Sequence, residues 1–326
     1  VYGMIRSIRS RLGAKAPQIV VTGCLIGAAL RVPGGKMMRR LKKRLPDVTF
    51  LPIDEVGFEH IPKRAQGTSA SVVISNGCNN YCAFCIVPFS RGQERSRSFA
   101  EILSEVTQAV QAGYTDITLL GQNVNSYGAD FLKQTMQEKA LYILPDGTSV
   151  KPVMVKHLNR QRIPTLFPYL LEYVARIAGI QNISFLSSNP WDFSDELIDV
   201  MARYPNISRT LHLPIQSGSN TVLKRMNRFY TREEYYALIE NIRSRIPEII
   251  FTTDIIVGFP GETQAEFEET LDVIRHLDFA KTFIAWYSPR PGTTAMKMMP
   301  DDVPREEKQR RFHLLDTIAY KGKKRL

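Results

Sequence analysis

"SVVISNGCNNYCAFC" occupies residues 71–85 and joins a short apolar run to three closely spaced cysteines. The run is rich in β-branched residues, ends at Gly77, and predicts a buried strand. Cys78, Cys82 and Cys85 follow it in the pattern C-x3-C-x2-C. Disulfides among three thiols this close would be strained, and a compact group of cysteines in a reducing compartment usually holds a metal. The stretch therefore predicts a metal or cluster site at the end of a strand.

The strand-then-helix order of this stretch recurs along the chain. Five more apolar strands follow, and the first helix is predicted to begin after Ser98, a serine N-cap. The repetition predicts an α/β fold with a parallel sheet and outer helices. Six units are fewer than the eight of a closed TIM barrel, so an open, partial barrel and a doubly wound sheet are both possible. In either fold, functional residues are expected at the C-terminal ends of the strands. The later predicted strands, with their polar ends, lie at 116–128, 182–190, 209–219, 249–263 and 280–293.

The chain is basic and of ordinary hydrophobicity. It has 326 residues, 44% of them hydrophobic, and its 43 Lys and Arg against 32 Asp and Glu give a formal charge of +11. Basic clusters on a folded protein favour a polyanionic partner such as nucleic acid, although each cluster alone also fits a solvated helix face. No apolar run approaches the roughly 18 residues of a transmembrane helix, and the basic N-terminus lacks the apolar core of a signal peptide. The clusters lie at 6–15, 36–44, 91–97 and 320–326.

The number of cysteines in the triplet distinguishes between kinds of site. A structural zinc ion needs four ligands, and the stretch offers three with no histidine beside them. A cubane iron–sulfur cluster usually has four thiolates, so three would leave one iron open to bind a substrate or cofactor. A triplet of buried, unligated thiols is the remaining alternative. The open position favours a catalytic cluster.

The cysteine spacing, with Phe84 before the third cysteine and a βα series around it, resembles the radical SAM superfamily. The resemblance implies that the three thiolates hold a [4Fe-4S] cluster whose open iron binds S-adenosylmethionine, and that reductive cleavage of this molecule yields a 5′-deoxyadenosyl radical. It also implies a partial (β/α)6 TIM-like barrel, preceded here by a truncated small α/β domain. Further motifs resemble the methylthiotransferases, closest to the MiaB-type tRNA enzymes. They are GCNNYCAFCIVPFSRGQERSR, LLGQNVNSYG, LHLPIQSGSNTVLKRMNR, DIIVGFPGET and YSPRPGTTA.

The resemblance implies a reaction and partners. The reaction adds a methylthio group to the adenine ring of N6-isopentenyladenosine beside the anticodon of tRNA, with two [4Fe-4S] clusters and two S-adenosylmethionine molecules. The motif GQNVNSYG favours this substrate, while threonylcarbamoyladenosine tRNA and a ribosomal protein are the alternatives. An alternative of another class is a non-catalytic metal-binding RNA-binding protein. We expect a cytoplasmic monomer without membrane association that works with tRNA and a reductant such as flavodoxin or ferredoxin.

The resemblance also implies roles for individual residues. Cys78, Cys82 and Cys85 would hold the radical cluster and form the catalytic centre, with Phe84 beside it. The other predicted contacts to S-adenosylmethionine are Gln122 and Asn123 at the amino group, Ser187, Gln216 and Arg228 at the ribose and carboxylate, and Ile256 and Gly258 along the adenine.

Cys24 follows a separate predicted strand. Alone, such a cysteine is most often a small buried apolar residue. The resemblance implies that it is one of three ligands of a second cluster, with the other two upstream of Val1, so that this chain would cleave S-adenosylmethionine without completing sulfur insertion. We expect a truncated chain that lacks the start of the N-terminal domain and a C-terminal RNA-binding TRAM domain. The predicted domains are a partial N-terminal methylthiotransferase domain at 1–60, a linker at 61–70, the radical SAM core at 71–300 with an insertion at 129–170, and a helical segment at 301–326.

Overall fold

The computed structural model describes most of the chain from Gly67 onward. None of the helices in this part of the chain, or in the pieces before it, is long and apolar enough to cross a membrane. The described residues are 67–132, 141–157 and 161–320, with 10, 20–21, 39, 42–45 and 49–50 in the N-terminal region.

Six parallel strands form the centre of the fold. Each lies within or beside a stretch that its apolar, β-branched composition predicts as a strand. In chain order they are β1 (Ser69–Val73), β2 (Asp116–Leu120), β3 (Asn182–Phe185), β4 (Thr210–His212), β5 (Ile250–Val257) and β6 (Phe279–Trp286).

Neighbouring strands in the sheet are also neighbours in the chain. β1, β2 and β3 form one parallel sheet, and β4, β5 and β6 form another. The two sheets join edge to edge, because the amide of Ile183 donates to the carbonyl of Asn206 at 2.7 Å and the amide of Ser208 donates to the carbonyl of Ile183 at 2.7 Å. A doubly wound sheet reverses its strand order at one point. Here the order runs from β1 to β6 without reversal. No other strand of the described residues pairs with the free edge of β1 or of β6. The fold is therefore the open, partial barrel.

Helices cover the outer face of the strands. Three of them begin with a capping box, in which Ser98, Thr231 or Thr263 accepts from the amide of a glutamate three residues on and that carboxylate accepts from the cap's own amide. The apolar faces of the helices pack on the strands and form the main core. The helices are α1 (Phe99–Gln111), α2 (Phe167–Ala175), α3 (Asp195–Arg203), α4 (Arg232–Arg245), α5 (Gln264–His276) and α6 (Arg305–Ala319).

The two faces of a barrel strand differ in burial. In β5, Phe251 and Ile255 are fully buried in the core beneath the helices. Asp254 and Ile256 alternate with them and are half-buried on the wall of an inner cavity. In a closed TIM barrel, packed branched side chains fill the interior. This open barrel instead leaves room inside for a ligand.

The region predicted as an insertion, 129–170, contains two antiparallel hairpins. The second hairpin ends at Thr165, and α2 begins two residues later at Phe167, within the region predicted as an insertion. The amide of Phe167 donates to the hydroxyl of Thr165 at 3.1 Å, which joins the hairpin to the helix. The hairpins pair Tyr142–Ile143 with Ser149–Val150 and Val153–His157 with Gln161–Thr165. The other short elements are the paired strands Ser75–Asn76 and Arg95–Ser96 and the helical turns Val87–Ser90, Val124–Ser126, Ala129–Leu132, Pro190–Asp192, Asn220–Arg225 and Thr294–Met298.

Little of the predicted N-terminal unit is described. Val20–Val21, in the stretch before Cys24 that is predicted as a strand, pairs in parallel with Thr49–Phe50. Cys24 and most of 1–60 lie outside the described residues, as does the tail 321–326. The predicted domain boundaries therefore stay predictions.

Candidate active site

The cysteine loop begins at a turn that only glycine can make. Gly77 has a φ of +84°, and a Cβ there would lie 2.2 Å from the carbonyl oxygen of Gln93. Farther along, the amide of Ala83 donates to the carbonyl of Met226 at 2.9 Å. The turn at Gly77 thus fixes the start of the loop, and a backbone hydrogen bond holds its middle against the segment that follows β4.

The three cysteines of this loop line one cavity of about 180 Å³. All three are free thiols; Cys78 is buried, and Cys82 and Cys85 are half-buried. Burial raises the pKa of Cys78 well above its usual value and that of Cys85 to about 11, so as free thiols both keep their protons at neutral pH. Coordination to a metal cation would remove such a proton, because the thiolate is the form of cysteine that binds metals. The wall also includes Asn80, Tyr81, Phe84, Gln122, Ser187, Ser188, Asn189, His212, Pro214, Gln216, Arg228 and Asp254.

The cavity wall combines three thiols, which are the usual ligands of iron–sulfur clusters, with unpaired polar oxygens. Among the described residues, no three His, Cys, Asp or Glu side chains are arranged to hold a single metal ion together. On the cavity wall, Asn80 Oδ1 and Ser188 Oγ are buried without a hydrogen-bond partner in the described structure, although buried polar atoms normally have one. A polar ligand could supply it, so these residues fit a [4Fe-4S] cluster with bound S-adenosylmethionine.

Five of the predicted cofactor residues lie on this wall: Phe84, Gln122, Ser187, Gln216 and Arg228. Oε1 of Gln122, after β2, accepts a hydrogen bond from the amide of Gly77 at 2.6 Å, so the end of β2 supports the turn before the cysteines. Nη1 of Arg228, after β4, donates to Sγ of Cys82 at 3.5 Å. Strand ends that are distant in sequence therefore meet around the thiols, as expected at the C-terminal edge of parallel strands.

Comparison with known sequences agrees with this site. The sequence model of the Radical SAM superfamily matches residues 72–274, more than half of the chain. The chain belongs to the radical SAM superfamily. The match begins in β1, includes the three cysteines and ends in α5, so it covers the barrel up to the helix before β6.

Curated relatives of this radical SAM protein narrow the family. The tRNA-2-methylthio-N(6)-dimethylallyladenosine synthase of Thermotoga petrophila is 43% identical, over 84% of this chain and 55% of the relative. The protein of the same name from Moorella thermoacetica is 35% identical, over 98% of this chain and 71% of the relative. The chain therefore belongs to the MiaB-type methylthiotransferase family, as its motifs predict. It spans about half the length of most of the curated relatives it matches.

Solved radical SAM structures show the same fold. The radical S-adenosylmethionine methyltransferase TsrM from Kitasatospora setae has a TM-score of 0.50 and 17% identity, covering 69% of this chain and 38% of that chain. The cobalamin-dependent S-adenosylmethionine radical enzyme OxsB has a TM-score of 0.51 and 13% identity, covering 97% of this chain and 44% of that chain. At these identities the likeness concerns the fold alone, and it agrees with the partial barrel.

Three predicted cofactor residues of this radical SAM core lie away from the cysteine cavity. Asn123 is fully buried, and its Nδ2 donates to Oδ2 of Asp192 at 2.6 Å, so it connects the segments after β2 and β3. Gly258 has a φ of +66°, and a Cβ there would lie 2.4 Å from Cγ of Lys308, so it is a turn residue packed against α6. Ile256 lines a neighbouring cavity. Oδ1 of Asn123 is buried without a hydrogen-bond partner in the described structure, so its predicted contact with the cofactor stays a prediction.

Strained backbone is concentrated around the cysteine cavity. Four non-glycine residues of the described chain have a left-handed φ: Tyr81, Ser187, Gln216 and Asn227. The first three line the cavity. Gln216 keeps its φ of +71° because its amide and carbonyl both bond to β5, each at 2.9 Å. Such conformations persist only where their surroundings enforce them, and they cluster at functional sites.

A second cavity, of about 360 Å³, adjoins the first and reaches β6. The two share Phe84, Gln216 and Asp254. Phe283 of the second cavity is 47% exposed, and the His212 ring meets it edge to face with centroids 5.7 Å apart. Nε2 of His212 lies 3.4 Å from Oδ2 of Asp254. His212, Asp254 and Phe283 are not among the site residues predicted from the sequence. The one sequence signal for them is Asp254, an aspartate inside an apolar strand.

Proposed function

We propose that this chain is the radical-generating core of a tRNA methylthiotransferase that acts on the adenine ring of N6-isopentenyladenosine. The observation that supports the proposal most is the single cavity wall shared by Cys78, Cys82, Cys85 and the polar strand ends. The names of the relatives support the choice of tRNA as substrate. Because the chain spans only part of those relatives, the complete reaction is proposed for the full-length protein in the cytoplasm.

In this proposal Cys78, Cys82 and Cys85 would hold a [4Fe-4S] cluster that has one iron open to S-adenosylmethionine. When bound, the cluster supplies the electron for reductive cleavage of that cofactor. Gln122 holds the turn before the cysteines through the amide of Gly77.

The remaining wall residues would bind S-adenosylmethionine itself. The unpaired oxygens of Asn80 and Ser188 would accept hydrogen bonds from its amino and hydroxyl groups. Ser187 and Gln216 would flank its ribose and carboxylate. Phe84 and Ile256 would provide apolar contacts for its adenine, since Phe84 lines both cavities and Ile256 the second.

The second cavity is the proposed site of the target base. The exposed ring of Phe283 offers a stacking surface, and such surfaces bind any nucleobase. His212 and Asp254 offer hydrogen-bonding groups beside it. A base held there would lie next to the cofactor, because the two cavities share part of their walls.

Further parts of the proposal concern the full-length protein. It would hold a second [4Fe-4S] cluster with Cys24 as one ligand, and it would use two molecules of S-adenosylmethionine for each product. It would act as a monomer and receive electrons from flavodoxin or ferredoxin.

Anaerobic reconstitution with iron and sulfide tests the radical core. We expect the chain to bind iron and sulfide, and to form 5′-deoxyadenosine from S-adenosylmethionine and dithionite. The triple variant C78A/C82A/C85A should do neither. If the reconstituted wild-type chain makes no 5′-deoxyadenosine, the radical proposal is rejected and a non-catalytic metal-binding role is favoured.

The substrate is tested with the full-length protein. It is incubated with tRNA carrying isopentenyladenosine, tRNA carrying threonylcarbamoyladenosine, unmodified tRNA, or ribosomal protein, and digests are analysed by mass spectrometry. We expect a methylthio product from the isopentenylated tRNA alone. A product from the threonylcarbamoylated tRNA or the ribosomal protein instead would overturn the substrate assignment and keep the chemistry.

A further inference from the structure

We infer that Arg228 is a positioning residue that binds the cluster ligand Cys82 and raises the reduction potential of the cluster. The inference rests on the proposed function, because it requires a cluster at the three cysteines. It differs from the role that the sequence predicts for Arg228, which is contact with the ribose or carboxylate of S-adenosylmethionine.

The donors of Arg228 are already used within the protein. Nη1 donates to Sγ of Cys82 at 3.5 Å and to Oδ1 of Asn189 at 3.3 Å. Nη2 donates to the carbonyl of Pro214 at 2.9 Å, and Nε donates to the hydroxyl of Tyr230 at 3.3 Å. A guanidinium has five N–H groups, so four of the five have a protein acceptor. These bonds hold the side chain between the ends of β3 and β4 and direct one edge at the cysteine sulfur.

The charge of Arg228 is buried, and no carboxylate of the described chain balances it. The side chain is only 6% exposed, and no acidic group of the described chain forms an ion pair with it. Its guanidinium carbon lies 4.7 Å from the ring centre of Trp191 and 5.4 Å from that of Tyr230. Aromatic rings at these distances stabilise the positive charge of the guanidinium. A buried, unpaired cation is costly unless an anion completes the site. A cluster held by three thiolates is such an anion.

The same contact should influence reduction of the cluster. Adding one electron makes the site more negative, and a nearby buried cation stabilises that state more than the oxidised one. Hydrogen bonds to the ligand sulfurs are among the factors that set cluster potentials. Loss of Arg228 should therefore make the potential more negative, so that the same reductant reduces less of the cluster.

The test is an anaerobic redox titration of the full-length protein, followed by electron paramagnetic resonance. The signal to follow is the one that changes when S-adenosylmethionine is added. We expect Arg228→Met to have a more negative midpoint potential than wild type, and Arg228→Lys to lie between them because lysine keeps the charge without the planar fork.

Two variants serve as controls. Arg311→Lys is matched to Arg228→Lys, because Arg311 is also buried (5% exposed) and lies over a ring, that of Phe267, at 5.3 Å, but it pairs with Glu262 away from the cysteines. Tyr230→Phe removes the acceptor of Nε and leaves the sulfur contact. Both should keep the wild-type potential.

The outcomes separate this inference from the proposed function. Wild-type potentials in both Arg228 variants, with the cluster assembled, overturn the inference and leave the proposed function intact. If the Met variant does not assemble a cluster, the comparison of Arg228→Lys with Arg311→Lys decides. A wild-type protein that assembles no cluster at the three cysteines overturns both.

Discussion

The turn at Gly77 is the single position on which the cysteine loop depends most. Gly77→Ala places a Cβ 2.2 Å from a backbone carbonyl, and the left-handed φ alone costs about 1–2 kcal/mol. We expect this variant to bind much less iron after reconstitution and to unfold at lower urea concentration. The control is Gly113→Ala, where φ is +93° but no atom lies within 4 Å of the added Cβ. That variant should lose stability and keep its iron, so equal iron in the two variants would contradict the prediction.

The exposed ring of Phe283 gives a second prediction at the residue scale. Stacking of a base on an aromatic ring is worth about 1–3 kcal/mol, so Phe283→Ala should lower kcat/KM for tRNA by roughly 5- to 150-fold. Cleavage of S-adenosylmethionine by dithionite without tRNA should not change, because the cysteine cavity is intact. Ile250→Ala is the control, since Ile250 is equally exposed (47%) at the start of β5. A comparable loss in that control, or slower cofactor cleavage in Phe283→Ala, would argue against a base site at Phe283.

Helix α6 is held to the barrel by a small ion network, which gives a prediction about pH. Oε1 of Glu307 accepts from Arg310 and from Arg311 at 2.7 Å each, and Arg311 also donates to Glu262 at 2.8 Å. The hydrogen bonds from Arg310 and then Arg311 lower the pKa of Glu307 from the usual 4.5 to about 2. A lowered folded-state pKa stabilises the protein above pH 4.5, and this contribution disappears as the pH falls toward 2.

Glu307→Gln tests that network. We expect it to lower the free energy of unfolding at pH 7 by about 1 kcal/mol, a value reduced because the side chain is partly exposed to solvent. The difference from wild type should shrink between pH 4.5 and 2. Urea unfolding at pH 7, 5 and 3 measures it, with Glu306→Gln in the same helical turn as the control. A difference that does not vary with pH would show that the ion network is not its cause.

At the scale of elements, local sequence signals predict most of the barrel. Ser98 and its glutamate three residues on specify the start of α1, and runs of β-branched residues specify the strands. The hairpins within 129–170 are not predicted, because their pairing depends on contacts with the rest of the fold. The roles of Asn123 and Gln122 could not be separated either, since they are adjacent in sequence. One donates to a buried aspartate and the other reaches the cysteine loop.

The strand order accounts for both the success and the limit of the site prediction. Because parallel strands place all their C-terminal ends on one edge, motifs scattered from Cys78 to Arg228 could be assigned to one cavity. The second cavity depends instead on which side chains point inward, and a shift of one residue in the strand register would reverse that. His212 and Phe283 therefore required the structure.

The charge of the whole molecule gives the last prediction. Each phosphate that a basic side chain neutralises contributes about −0.7 to −0.9 to the slope of log K against log salt concentration. Lys42 and Lys43 belong to a basic cluster and are exposed. We expect K42S/K43S in the full-length protein to weaken tRNA binding and reduce the slope by about 1.4–1.8 if both contact phosphates. Arg176 and Arg275 are as exposed but already pair with Glu172 and Asp272, so R176S/R275S should leave the slope unchanged. Equal slopes in the two double variants would mean that the cluster is a solvated helix face, and the polyanion contacts would have to lie elsewhere.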